Sequence, residues 1–379
     1  MVTDLRIYVI IGIFTMVCIS MMVFNFGIIY HRNGNKDLSP AKVEKWRGII
    51  YVQALAPKNL KLSERRHEKF LRRKLPSAEK LILYAAALQR LKNEFPESYY
   101  AYAEKKHEVF LELADVYGRK SRIDRTCYAD FISNFPELVG NVQGRLADVL
   151  ISYIEDSCIY CRTKVLSALC SVGHLQGVAN VLQVIHDREL FMHNRLLTTE
   201  LLKFRGDQKI LGELLWNKSN SWNDSITVSV IQFITKISDG YSEIFFQILL
   251  DASANLEVRI AAIRYYGEHE YEPAHRVLID FIENPPDIDL AIAAAEALVL
   301  YPSSGTIAVL KAALASPDWH VRYNASATLV KLGNREEILR ALEDGREHEK
   351  EIVAYMLELE GALEDEDFLR KTEGEILTS

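Results

Sequence analysis

Two stretches 160 residues apart carry the same pattern, and it limits the possible folds more than any other feature of the chain. Residues 161–173 read CRTKVLSALCSVG and residues 321–333 read VRYNASATLVKLG. Both place Arg second, a small or branched apolar residue fifth, Leu ninth, an apolar residue twelfth and Gly last. The separation is five units of 32, and intermediate units fall near that period. Their leading positions, 162, 195, 229, 259, 291 and 322, are spaced by 33, 34, 30, 32 and 31. Between them lie second apolar segments at helical spacing, clearest at 178–185, 244–250 and 307–314. Each unit therefore predicts a helical hairpin. One hairpin cannot bury its apolar face alone, so neighbours must stack into a solenoid.

The pattern extends in both directions. Residues 125–136 read as a degenerate unit and residues 350–361 as a terminal cap, so the repeat domain is expected over 125–362. Ahead of it, 77–124 reads as a helical lead-in. Pro76–Ser77 opens a helix with Leu81, Tyr84, Leu88 and Leu91 on one face, Phe95–Pro96 ends it, and a Tyr-rich helix is expected over 97–117. Within 31–76, Ser39–Pro40 supplies an N-cap and a proline at the first helical position, after which Val43, Trp46 and Ile50 share a face.

The first thirty residues read differently. Residues 7–30, IYVIIGIFTMVCISMMVFNFGIIY, are uncharged, and Asn25 is their only strongly polar side chain. Twenty-four such residues exceed the ~20 that cross a bilayer as a helix. The run is longer than a signal-peptide core, and no A-x-A-like site follows it. A retained transmembrane helix is expected, with residues 1–6 as an extracytoplasmic stub. Arg32, Lys36, Lys42, Lys45 and Arg47 flank its C-terminal side, predicting the N-terminus out and the body cytoplasmic at the plasma membrane.

Charge is distributed unevenly around a net −7. Residues 32–74 hold thirteen Lys/Arg against four Asp/Glu, and residues 335–379 hold six against fifteen. The densest basic piece, ERRHEKFLRRK at 64–74, makes Arg65, Arg66, Lys69, Arg72, Arg73 and Lys74 candidates for contact with anionic lipid headgroups. The acidic stretch 363–379 reads as a solvated tail. An acidic body lacks the basic face that phosphate neutralisation needs, so no nucleic-acid partner is expected.

The residues 316–322, SPDWHVR, followed by Ala325, Leu329 and Gly333, resemble the consensus of short bacterial HEAT-like repeats. So do Ala254 to Arg259 with Ala261 and Ala262, and Asp156 with Arg162. Ser229 and Ala291 depart from the Arg pattern. The resemblance covers about 125–362 and implies an all-α fold, here an N-terminal transmembrane helix followed by an α-α superhelical solenoid. It implies that the Asp and Arg stabilise the turn inside each hairpin and that the second helices line a concave surface. Such surfaces suit protein partners. Helical phase then turns Cys161, Val165, Leu169 and Val172 inward and Lys164, Ser167 and Ser171 into the groove. Shifted by the period, the same reading selects Glu200, Arg264, Glu268, Glu296, Asn324 and Lys331.

Catalytic patterns are weak. Cys158 and Cys161 have C-x-x-C spacing, but Cys161 falls on a core position of the repeat and reads as a small buried residue. Five cysteines, one within 7–30, form no disulfide framework. H-E-x-x-H, phosphate-loop and G-x-S-x-G patterns are absent. The expectation is a membrane-anchored scaffold for a protein partner, another membrane protein among the candidates. No cofactor, metal or reaction is expected. The alternative is a membrane-tethered enzyme, lyase-like or glycosylase-like, because classes resembling HEAT-like repeats attach bilin pigments to proteins or excise alkylated bases from DNA.

Overall fold

A computed structural model describes residues 21, 40–56, 63–140, 143–155, 158–332 and 347–359. Every regular element among them is helical. The chain divides into two compact units, Met1–Ala168 and Leu169–Ser379.

The first unit holds α1 (Pro40–Leu55), α2 (Glu64–Lys74), α3 (Ala78–Glu94), α4 (Pro96–Ala103), α5 (His107–Gly118), α6 (Arg122–Asn134), α7 (Gln143–Ser152) and most of α8 (Ile159–Val172). α1 lies on α3 through the predicted faces. Val43, Trp46 and Ile50 are buried opposite Leu81, Tyr84, Leu88 and Leu91, and the rings of Trp46 and Tyr84 meet edge to face at 5.6 Å. The core is unusually rich in tyrosine, and burying a phenol requires a partner for its hydroxyl. Tyr117 donates to the Leu75 carbonyl (2.7 Å), Tyr153 to that of Ala114 (2.6 Å) and Tyr128 to that of Phe110. The helix expected over 97–117 breaks into α4, a 3₁₀ turn over Glu104–Lys106, and α5. Lys106, almost wholly buried, leaves helical geometry (φ −114°, ψ 1°) and pairs with Glu64 at the start of α2.

The second unit is a run of hairpins: α9 (Leu175–Asp187) with α10 (Asn194–Leu201), α11 (Gln208–Ser219) with α12 (Asp224–Ile237), α13 (Ser242–Leu250) with α14 (Leu256–Tyr266), α15 (Glu272–Glu283) with α16 (Ile288–Ala297), and α17 (Ser304–Ala313) with α18 (Trp319–Leu332). α19 (Glu347–Leu359) packs on α18. The helices carrying the repeat's leading positions stack directly on one another, α10 on α12, α12 on α14, α14 on α16 and α16 on α18. Small side chains allow this close stacking. Ala261 and Ala262, Ala291 and Ala293 to Ala295, and Ala325 with Ser326 are all buried.

Polar side chains set where these helices begin. Asn223, Asn255, Asp287 and Asp318 accept from backbone N–H groups of α12, α14, α16 and α18, satisfying donors left open in a first turn. The repeat arginine closes the preceding turn. Arg322 Nη1 donates to the carbonyls of Ser316 (2.7 Å) and Pro317 (2.9 Å), and Arg259 Nη2 donates to that of Leu249 (3.2 Å). Where the pattern departs from Arg, small residues fill the space, and Ser229 and Ala291 are both buried.

The expected transmembrane helix ahead of the solenoid is corrected. Among the described residues no helix is long and apolar enough to cross a membrane. The longest, α3, has 17 residues and interleaves Glu79, Lys80, Arg90, Lys92 and Glu94 with its apolar face. Residues 7–30, apart from Met21, lie outside the described residues, as do the acidic tail and Asp156. The single-pass plasma-membrane placement, with its orientation, falls with that helix.

Candidate partner-binding groove

The stacked helices of the second unit carry equivalent positions side by side. Counting five residues on from 259, 291 and 322 reaches Arg264, Glu296 and Ala327, and counting nine on from 259 and 322 reaches Glu268 and Lys331. All five line one groove of about 400 Å³ across α14, α16, α18 and α19, together with Asn324. Of the seven positions selected from the repeat phase, the structure thus brings five together: Arg264, Glu268, Glu296, Asn324 and Lys331.

The remaining two lie elsewhere. Lys164 is in the first unit, where its Nζ sits 2.6 Å from Asp130 Oδ1 and 5.5 Å from the Tyr160 ring centre. Glu200 is buried rather than facing a groove. Its Oε1 accepts from Lys203 at 2.7 Å, while its buried Oε2 has no hydrogen-bond partner. Ser167 is likewise buried, whereas Val172, expected inside, is half-buried. These helices are covered on more of their circumference than a single inward face supposes.

The charged groups of the groove differ in what they already hold. Glu268 pairs with Lys236 on α12 at 2.5 Å. Asn324 Nδ2 donates to the Ile292 carbonyl on α16 at 3.1 Å, spending one of its donors within the stack. The floor between them is made of Ala293, Ala297 and Ala327, with Met356 and Leu359 of α19 along one side. Gly267 also lines the groove, and its missing side chain matters: a Cβ there would stand 3.2 Å from Ala297 Cα. Sequence phase alone did not select these small residues, although their recurrence one helix apart was visible. Tyr323 and Thr328 complete the lining.

On α2, Arg65, Arg66, Lys69 and Arg73 are exposed and Lys74 is half-buried. Arg72 is engaged inside the unit, its Nε donating to Glu112 at 2.7 Å and its Nη1 to Glu68 at 3.1 Å. Within the expected lipid-contacting set, Arg72 is thus held in an ion-pair network with Glu68 and Glu112.

The thiols sit in the core or beside it. Cys161 and Cys170 are buried, Cys127 is half-buried and Cys158 is exposed, all four free. Burial pushes the Cys127 thiol up to about 11 and raises those of Cys161 and Cys170 as well, the direction opposite to a nucleophile's. Among the described residues no three His, Cys, Asp or Glu side chains are placed to hold a metal ion.

The family model for HEAT repeats matches residues 276–358, which run from α15 to α19 and include most of the groove. No curated protein matches the chain. The matched repeats and the stack of helical hairpins together support a HEAT-like repeat protein.

Proposed function

We propose that the chain is an interaction scaffold and that the groove over α14, α16, α18 and α19 receives a segment of a protein partner. Interaction scaffolding is the general role of stacked helical repeats, which present long surfaces rather than enclosed pockets. The observation that carries this reading is the lining itself. Adjacent repeats place Arg264 and Glu296 at equivalent positions over a floor of Ala293, Ala297 and Ala327, with Glu268 and Lys331 further along the rim. A rim of charge around small apolar side chains is the anatomy of a protein interface more than of a reaction site.

A photo-crosslinking residue introduced at Ala327 of the full chain tests this. It should form an adduct of defined mass with a protein in a native extract. The same probe at exposed Arg276 on α15, outside the groove, should form none. Filling the groove from its exposed rim with Glu296→Trp, at unchanged circular dichroism, should remove the adduct. An adduct that persists in the filled variant, or forms equally from position 276, overturns the reading.

A further inference from the structure

The groove is specific about charge in a way that its lining as a whole conceals. Of its charged residues, Glu268 is committed to Lys236. Arg264 and Glu296 are different. They stand at the same repeat position on adjacent helices, both are exposed, and neither side chain makes a hydrogen bond or ion pair within the described residues. Stacked helices lie about 8–10 Å apart, so the two present a cation and an anion across roughly that distance, above Ala293 and Ala297.

Resting on the groove reading above, we propose that the occupant is an amphipathic helix of a protein partner, with one acidic and one basic side chain flanking its apolar face. The acidic side chain meets Arg264 and the basic one meets Glu296. The two edges of an amphipathic helix's apolar face stand about a helix diameter, ~10 Å, apart, which is a separation of this order. The small floor residues leave room for the large apolar side chains that such a helix carries between its charges.

The backbone of the groove favours a helix over an extended peptide. Its walls are helices, whose N–H and C=O groups bond within each helix and offer no open edge to a strand. An extended segment would lay unsatisfied backbone groups on an alanine floor, whereas a helix brings its own already paired. The charge pair fixes direction as well. Reversing the helix would put like charges together on both sides, a repulsion that selects against the wrong orientation.

A displayed library of helical peptides tests the inference. The apolar positions are fixed, the flanking positions are random, and selection is on the full chain. Peptides selected on the wild type should carry one acidic and one basic flank. They should bind Arg264→Glu about tenfold more weakly and recover on that variant when their acidic flank is changed to Lys. The double variant Arg264→Glu/Glu296→Arg should select the reversed charge order, and the neutral variant Glu296→Gln should lose the preference for a basic flank. Both sites are exposed, and unchanged circular dichroism of each variant confirms that its fold is intact. Binders abolished by Ala327→Trp but indifferent to charge overturn the inference and leave the groove reading standing. Binders untouched by Ala327→Trp, or no binders at all, overturn the groove reading itself.

Discussion

Replacing Arg259 by Ala should loosen one hairpin without dissolving the stack. The guanidinium is nearly buried, at 8% exposure, with Nη2 3.2 Å from the Leu249 carbonyl and its centre 5.3 Å from the Phe281 ring. A hydrogen bond from a charged donor is worth ~1.5–3 kcal/mol. A desolvated cation over an aromatic ring adds up to ~2 kcal/mol. Against these stands the cost of burying the cation, whose Nε has no partner. The net loss should be about 2 kcal/mol. At 1.4 kcal/mol per decade, that is roughly a thirty-fold rise in the local opening constant. Ala291, buried at the equivalent position of the next repeat, indicates that a hairpin closes without the arginine, so the effect should stay local. Native-state hydrogen exchange followed by mass spectrometry reads this directly. Amides in the turn over 250–256 and at the end of α13 should exchange about thirty-fold faster, and those of the first unit should be unchanged. Unchanged exchange in the turn would refute the proposed closure. Acceleration spread evenly across both units would refute the view that each repeat answers mainly to its neighbours.

Two predictions concern the first unit. Burial lowers His67 to about 4, while its Nε2 shares a hydrogen bond with the Tyr102 hydroxyl at 2.9 Å. Between pH ~6.5 and ~4 the unfolded chain binds a proton that the native imidazole does not, so this group's contribution to stability should fall with pH by ~2–3 kcal/mol across that window and level off below it. His67→Gln should flatten that part of the pH dependence in urea melts, and an unchanged slope would contradict the assignment. Gly140→Ala should destabilise the unit by about 2 kcal/mol, because φ is +54° and the new Cβ would meet the His107 ring; a thermal midpoint equal to wild type would sink that estimate.

Much of the architecture was legible because helical periodicity leaves a mark on every turn. Val43, Trp46 and Ile50, and Leu81, Tyr84, Leu88 and Leu91, were read as faces and are buried as faces. Arg259 and Arg322 were expected, by resemblance, to hold their turns, and both do so through backbone carbonyls. The apolar run at 7–30 led elsewhere. Its hydropathy predicts a membrane helix, whereas no described helix is long and apolar enough to cross a membrane. Glu200, expected in the groove, is buried beside Lys203 instead. Helical phase gives the direction of a side chain from its own axis and says nothing of what a neighbouring helix or a nearby lysine or glutamate brings to meet it.

What the amino-acid order determined by itself was the hairpin unit and its period of about 32, both set by the recurrence of a few consecutive turns. Only the tertiary structure decided which polar groups of the helices remain unspent. Lys164 and Glu268 are neutralised by partners 34 and 32 residues away in sequence, while Arg264 and Glu296 are not. Pairing depends on distances of a few ångströms between separate helices. Those distances follow from how closely small residues such as Gly267 and Ala297 let the helices approach.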